Sequence, residues 1–142
     1  GFERHFAHLQ LGDIVNIVSK NALVSGPKNV AYGSNKAAQL HMSRLLAAEL
    51  GPEQIRVNVV NPDAVIEGSK IWEGEWAKER AAAYGISVEE LPAHYAKRNL
   101  MQAIISTHDI ALAAFAFVGG ELSKSTGNVL NVDGGLAAAF VR

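Results

Sequence analysis

The sequence predicts an α/β fold built on a parallel sheet, and three observations carry that expectation. Short β-branched runs, almost wholly apolar, recur along the chain, as strands buried on both faces do. Longer stretches of helical character lie between them. Gly and Pro breakers separate the two kinds of segment. Strands alternating with helices imply parallel neighbours joined by right-handed crossovers.

Residues 2–11 look like the tail of a helix that precedes the first strand, Ile14-Val15-Asn16-Ile17-Val18. A long helix is expected from about residue 31 to 50, stopping at Gly51-Pro52, a helix-end signal. Ile55-Arg56-Val57-Asn58-Val59-Val60 is the second strand, closed by Asn61-Pro62. The stretch 67–105 differs: Trp72, Trp76, Tyr84 and Tyr95 stand there among Lys70, Glu73, Glu75, Lys78, Glu79 and Arg80. Gly85 reads as a helix C-cap, and Ser87-Val88-Glu89-Glu90 as a capping box that restarts a helix. A helical excursion is expected here, over the carboxyl ends of the strands, where open α/β sheets bind ligands. Ser106-Thr107-His108-Asp109 has capping-box spacing and opens a last helix that ends at Gly119-Gly120. Asn128-Val129-Leu130-Asn131-Val132 is the third strand, closed by Asp133-Gly134-Gly135. Three strands make a narrow parallel sheet.

Composition narrows the function classes. The 142 residues fit one domain, and 49% hydrophobic with 19% charged residues is ordinary for a globular chain and not for a disordered one. Thirteen Lys plus Arg against fourteen Asp plus Glu leave a net charge of −1, which gives no general attraction to nucleic acid or to an anionic membrane. The absence of cysteine excludes disulfides, thiolate zinc sites and cysteine nucleophiles. Gly1-Phe2-Glu3-Arg4-His5 has no signal-peptide shape, and the most apolar stretch, 110–118, is far short of the ~20 residues that span a bilayer. The expectation is a soluble, cytoplasmic domain.

Two side chains stand out chemically. Tyr32 and Lys36, four apart at the start of the first long helix, share one face beside the sheet's carboxyl edge. A free tyrosine has a pKa of about 10 and is a poor base at neutral pH. Lowering it by ~3 units takes ~4 kcal/mol of differential stabilisation, which a partly desolvated ammonium nearby can supply. Ser19, directly after the first strand, could hold a substrate oxygen while Tyr32 passes it a proton. The plainer alternative is that Tyr32 packs, Lys36 is solvated and Ser19 caps a turn. Among the remaining candidates, His5 and His8 read as a surface pair without a third metal ligand, and His41 as a helix–helix contact. Ser34 lacks the Gly-x-Ser-x-Gly setting of a serine hydrolase. Trp72 and Trp76 either line a substrate pocket or glue the excursion to the sheet.

Ile14-Val15-Asn16-Ile17-Val18-Ser19, Tyr32-Gly33-Ser34-Asn35-Lys36-Ala37-Ala38, Arg56-Val57-Asn58, Pro62, Thr126-Gly127 and Val132-Asp133-Gly134-Gly135 resemble the short-chain dehydrogenase/reductase family, in its order and spacing. A narrower resemblance is to the dehydrogenase part of bifunctional rhamnulose-1-phosphate aldolase/short-chain dehydrogenase proteins. It rests on Ser19-Lys20-Asn21-Ala22, Gln39-Leu40-His41-Met42, Asn61-Pro62-Asp63-Ala64-Val65 and Gly134-Gly135-Leu136-Ala137-Ala138-Ala139-Phe140. The resemblance implies a Rossmann-like doubly wound sheet, of which residues 1–142 are the carboxyl-terminal part. It implies Ser19 orienting the substrate, Tyr32 as general acid/base, and Lys36 lowering the tyrosine pKa and holding the nicotinamide ribose. Tyr32, Lys36, Pro62, Asp63 and Val65 would meet the cofactor, NAD with NADP not excluded, and Val65 would meet the nicotinamide carboxamide. Asp63 stands where the family usually has Gly, and Glu67, with Ser69 two further on, where it often has Thr.

No Gly-x-x-x-Gly-x-Gly occurs in the 142 residues, so the family's phosphate cradle is not among them. Two expectations follow. One is an NAD(P)-dependent oxidoreductase acting on a small alcohol or aldehyde such as lactaldehyde, in which this stretch alone is inactive. The other is a non-catalytic packing module, whose first strand presents an unpaired edge. Both expect a homo-oligomer, with no nucleic acid or membrane partner.

Overall fold

The computed structural model describes residues 12–140. The expected helical tail at 2–11, with His5 and His8, lies outside them. In chain order the elements are β1 (Gly12–Ile17), α1 (Val30–Leu50), β2 (Ile55–Pro62), β3 (Val65–Glu67), α2 (Glu75–Tyr84), α3 (Leu91–Ala96), β4 (Ile105–Ser106), α4 (Thr107–Val118) and β5 (Val129–Val132). β1, β2 and β5 form a parallel sheet in that spatial order, with Gly12 opposite Ile55 and Val59 opposite Val129. The α/β architecture and all three expected strands are present.

β2 is the middle strand and is buried at nearly every position; Val57 and Val60 have no exposed surface. Its polar residues are all engaged. Arg56 pairs with Asp13 of β1 at 2.7 Å and donates to the Leu122 carbonyl at 2.7 Å. Asn58 donates to the Ser125 carbonyl at 2.8 Å and accepts the Asn128 amide at 3.2 Å. The Val57 amide donates to Thr126 Oγ1 and its carbonyl accepts the Gly127 amide. The Arg56-Val57-Asn58 and Thr126-Gly127 motifs are thus two sides of one joint that leads the chain into β5. Pro62 costs no ladder bond because it is the last residue of the strand.

α1 lays Leu40, Ser43, Ala47 and Leu50 on the sheet. It ends at Leu50, before Gly51-Pro52 as expected. Gly51 stays right-handed at φ −57, the chain tightens into a 3₁₀ turn over Gly51–Glu53, and Gln54 takes the left-handed position at φ 60. Gly85, at φ 69, does make the expected left-handed C-cap: its amide bonds the Ala82 carbonyl, and the Ile86 amide reaches back to Ala81. The capping box expected at Ser87–Glu90 is half formed. The Glu90 carboxylate accepts the Ser87 amide at 2.8 Å, but the helix begins only at Leu91, with Pro92 in its first turn.

The excursion is not wholly helical. Val65 pairs in parallel with Ile105 across forty residues, making a second, two-stranded ladder of β3 and β4. Gly68 at the end of β3 sits at φ 79 with Thr107 against it, so a side chain there would be both strained and obstructed. The excursion has a small core of its own in Ala77, Ala81, Leu91 and Tyr95, with Trp72 and Ile66 packed on it.

α4 opens with a complete capping box: the Asp109 amide donates to Ser106 Oγ, and the Asp109 carboxylate accepts the Ser106 amide at 2.8 Å. Those hydrogen bonds from Ser106 hold the Asp109 carboxyl below its ordinary value of 3.8. A carboxyl depressed by folding stabilises above its unfolded pKa and loses that contribution as pH falls through its folded one. Thermal midpoints of the chain should therefore drop more steeply below pH 3.8 than those of Asp109→Ala, and the two curves should run parallel above it.

Candidate active site

Ser19 lies at the carboxyl end of β1 and is only 8% exposed. The Val18 amide bonds the Val60 carbonyl at 2.9 Å, which carries the parallel ladder up to its doorstep. Its own extended backbone starts the 3₁₀ turn Lys20–Ala22, and Ser19 Oγ accepts the Asn21 amide at 3.3 Å. The turn-capping role is therefore real, and it leaves the hydroxyl hydrogen free to donate.

Tyr32 and Lys36 occupy the first turns of α1, and Tyr32 is 49% exposed. Lys36 Nζ donates to Gln39 Oε1 at 2.9 Å, reaches the Ile17 carbonyl at 3.5 Å, and stands 5.9 Å from the centroid of the Tyr32 ring. The ammonium therefore bridges the helix to the last carbonyl of β1. Its third N–H is open at an accessible edge, a donor suited to the hydroxyls of a ribose.

Two features that bring these groups together carry no separate signal in the sequence. Gly33 faces the turn after Ser19: a Cβ there would stand 3.3 Å from the Asn21 carbonyl oxygen. The lack of a side chain lets the tyrosine helix approach the serine turn closely. Ser43, 1% exposed, donates to the Gln39 carbonyl at 2.8 Å and accepts from Asn16 Nδ2 at 2.9 Å. Asn16, Ser43, Gln39 and Lys36 make one chain of contacts that fixes α1 against β1. Asn16 alternates oddly in an otherwise apolar strand, and that polar interruption was its only visible sign.

Pro62 is buried and opposite Val132 of β5. Asp63 lies between Lys20 Nζ, at 3.4 Å, and an Arg98 guanidinium nitrogen, at 3.3 Å. The Val65 carbonyl, at the position where a carboxamide was expected, accepts the indole N–H of Trp72. Trp72 packs within the excursion's own core, meeting Trp76 and Tyr95 edge to face with centroids 4.8 and 5.0 Å away. Glu67 is exposed, while Ser69 precedes a 3₁₀ turn without capping it. His41 is exposed among the described residues. Tyr95 is no competitor for acid–base work. Burial foremost, then its hydrogen bond with Tyr84, push its phenol far above the ordinary tyrosine range.

The end of the excursion is also held by Asp133-Gly134-Gly135. Gly134 and Gly135 have φ 65 and 85, and their carbonyls accept the amides of Met101 and Leu100. A Cβ on Gly134 would collide with the Asn99 side chain, which in turn ties itself to Ala103 by two hydrogen bonds.

A family model described as enoyl-(acyl carrier protein) reductase matches residues 2–137. The chain belongs to the short-chain dehydrogenase/reductase family. It is 47% identical over 131 residues to the uncharacterized oxidoreductase YuxG of Bacillus subtilis, covering 92% of this chain and 19% of that one. Carbonyl reductase [NADPH] 2 of Sus scrofa is 30% identical over 131 residues, 90% of this chain and 48% of that protein. The ligand-free aldohexose dehydrogenase of Thermoplasma acidophilum superposes with a TM-score of 0.80 at 25% identity, over 94% of this chain and 51% of that one. The chain spans at most about half the length of these relatives. No helix among the described residues is long and apolar enough to cross a membrane.

The contact chain through Ser43 predicts a stability effect. Ser43→Ala leaves the Asn16 amide without its acceptor and should destabilise the chain by about 1–3 kcal/mol in urea titrations, whereas exposed Ser34→Ala should stay within about 0.5 kcal/mol.

Proposed function

We propose that this chain forms the substrate and nicotinamide-ribose half of an NAD(P)-dependent oxidoreductase acting on a small alcohol or aldehyde. The observation that supports this reading is that the helix carrying Tyr32 and Lys36 closes, at Gly33, onto the turn that Ser19 starts just after β1, with Lys36 beside the Tyr32 ring and reaching the Ile17 carbonyl. When bound, the nicotinamide ring exchanges hydride with the substrate carbon. Ser19 Oγ donates to the substrate oxygen and orients it. Tyr32 Oη gives that oxygen a proton in reduction or takes one in oxidation. Lys36, anchored by Gln39 and the Ile17 carbonyl, places positive charge beside the phenol and a free N–H toward the ribose.

No glycine-rich loop occurs in the 142 residues, so the pyrophosphate needs a cradle from elsewhere and this stretch alone should not turn over. The choice between NAD and NADP belongs to that same cradle. Within the family, the resemblance to the dehydrogenase part of aldolase/dehydrogenase proteins favours lactaldehyde as substrate and a cytoplasmic setting. In the complete polypeptide that carries these residues, Tyr32→Phe should lower lactaldehyde turnover by about 10²–10⁴-fold. Its NADH affinity, read by fluorescence titration, should be unchanged. Full activity in that variant would defeat the assignment.

Self-association is part of the proposal, and the surface favours it. Met42 and Leu45 on α1, and Leu112, Phe115 and Val118 on α4, are apolar and open; Phe115 is 64% exposed. An apolar helix surface of this kind calls for a cover, and a second copy of the chain supplies one of matching character. Light scattering at micromolar concentration should give a mass above the monomer's, and Phe115→Glu should reduce it. A monomeric wild type would count against the surface as an interface.

A further inference from the structure

The Asp63 ion bracket has more positive charge than its carboxylate neutralises. Lys20 follows Ser19 directly, and Arg98 arrives from the end of the excursion, so the sheet edge and the cover meet at Asp63. Among the described residues Asp63 is the one acceptor either cation has, although Arg98 also lies over the Tyr95 ring at 4.7 Å. An ammonium has three donors and a guanidinium five. Most are therefore unspent, and the group carries a net single positive charge beside Ser19. Behind Asp63 a partly open recess, lined by Tyr95, Asn99 and Asp133 among others, holds about 10 Å³, room for one water. Room for a further partner is on the outer side, where the side chains of Lys20 and Arg98 keep 15% and 29% of their surface exposed.

We propose that Lys20 and Arg98 are a specificity-determining pair that binds a carboxylate or phosphate carried by the substrate. The proposal rests on the reading that the reacting carbon sits at Ser19 and Tyr32. Asp63 holds the two cations at a common spacing and competes with the ligand for them. A neutral substrate such as lactaldehyde gains nothing from this pair, whereas an anionic alcohol or aldehyde acquires charge-assisted hydrogen bonds from both sides, so anion binding here argues for a charged member of that class in place of lactaldehyde.

The test titrates the chain with inorganic phosphate, with acetate and with nicotinamide mononucleotide, following amide and side-chain NMR shifts, with circular dichroism verifying each variant. Phosphate or acetate should shift Lys20 and Arg98, and whichever binds tighter names the substrate's anionic group. Lys20→Gln and Arg98→Gln should each weaken that binding about tenfold or more, the worth of one charged hydrogen bond. Asp63→Asn should tighten it, which a purely structural bracket does not predict. Lys78→Gln should change nothing. Absence of binding by both anions, or binding indifferent to Lys20 and Arg98, overturns the proposal. Displacement of phosphate by nicotinamide mononucleotide also overturns it, by assigning the pair to the cofactor. Tyr32→Phe leaves anion binding unchanged here, so failure of the pair and failure of the oxidoreductase reading register in separate measurements.

Discussion

Everything in this structure depends on β2 being tied on both sides. A strand with no exposed surface at Val57 or Val60 has to find partners within the protein for the polar groups it carries, and Asn61 Oδ1 is left without one among the described residues. Arg56 reaches Asp13 on one neighbour and the Leu122 carbonyl on the approach to the other. Asn58 and the Val57 backbone hold Ser125, Thr126 and Gly127, and Asn61 donates to Asn131 of β5 at 2.8 Å. Fixing β2 fixes the height of both neighbouring strands, and the height of β1 sets where Ser19 emerges.

Helix α1 then has to be placed to the same precision. Apolar packing of Leu40, Ala47 and Leu50 supplies attraction but little direction. Direction comes from Asn16 with Ser43, a buried polar contact that only one register satisfies, and from Gly33, which sets how near the helix comes to the serine turn. The excursion is secured independently, near its carboxyl end, by the Arg98–Asp63 ion pair and by the Gly134 and Gly135 carbonyls that accept the Met101 and Leu100 amides. Its hold on the sheet is electrostatic and backbone-made, with its apolar core kept to itself.

How much of this was legible in the sequence follows from range. β1, β2, β5, α1 and the Ser106 capping box depend on neighbours a few residues away, and periodicity or spacing exposed each of them. Tyr32 and Lys36 were legible for the same reason, being one helical turn apart. The β3–β4 ladder was not, because Val65 and Ile105 acquire strand character only from each other. Gly51-Pro52 marked the helix end where it falls, but the left-handed residue that completes the stop is Gln54, after the 3₁₀ turn Gly51–Glu53. Ser87 and Glu90 have the right spacing for a cap, yet Pro92 can start a helix only in its first turn and so pulls the start to Leu91. Asp63's partners lie 43 residues before it and 35 after it, which no local pattern records.

Asp63 also explains why a departure from the family's glycine is tolerated. Glycine is required where the backbone is left-handed or where a neighbour excludes a side chain. The non-glycine residues with positive φ among the described ones are Lys28, Gln54 and Gln102, so position 63 makes no such backbone demand. What remains is the cost of placing a carboxylate that is only 11% exposed, and two flanking cations offset it. The substitution is therefore a linked set rather than a single change. Lys20 and Arg98 make Asp63 tolerable, and Asp63 holds together, beside Ser19, two cations that would otherwise repel.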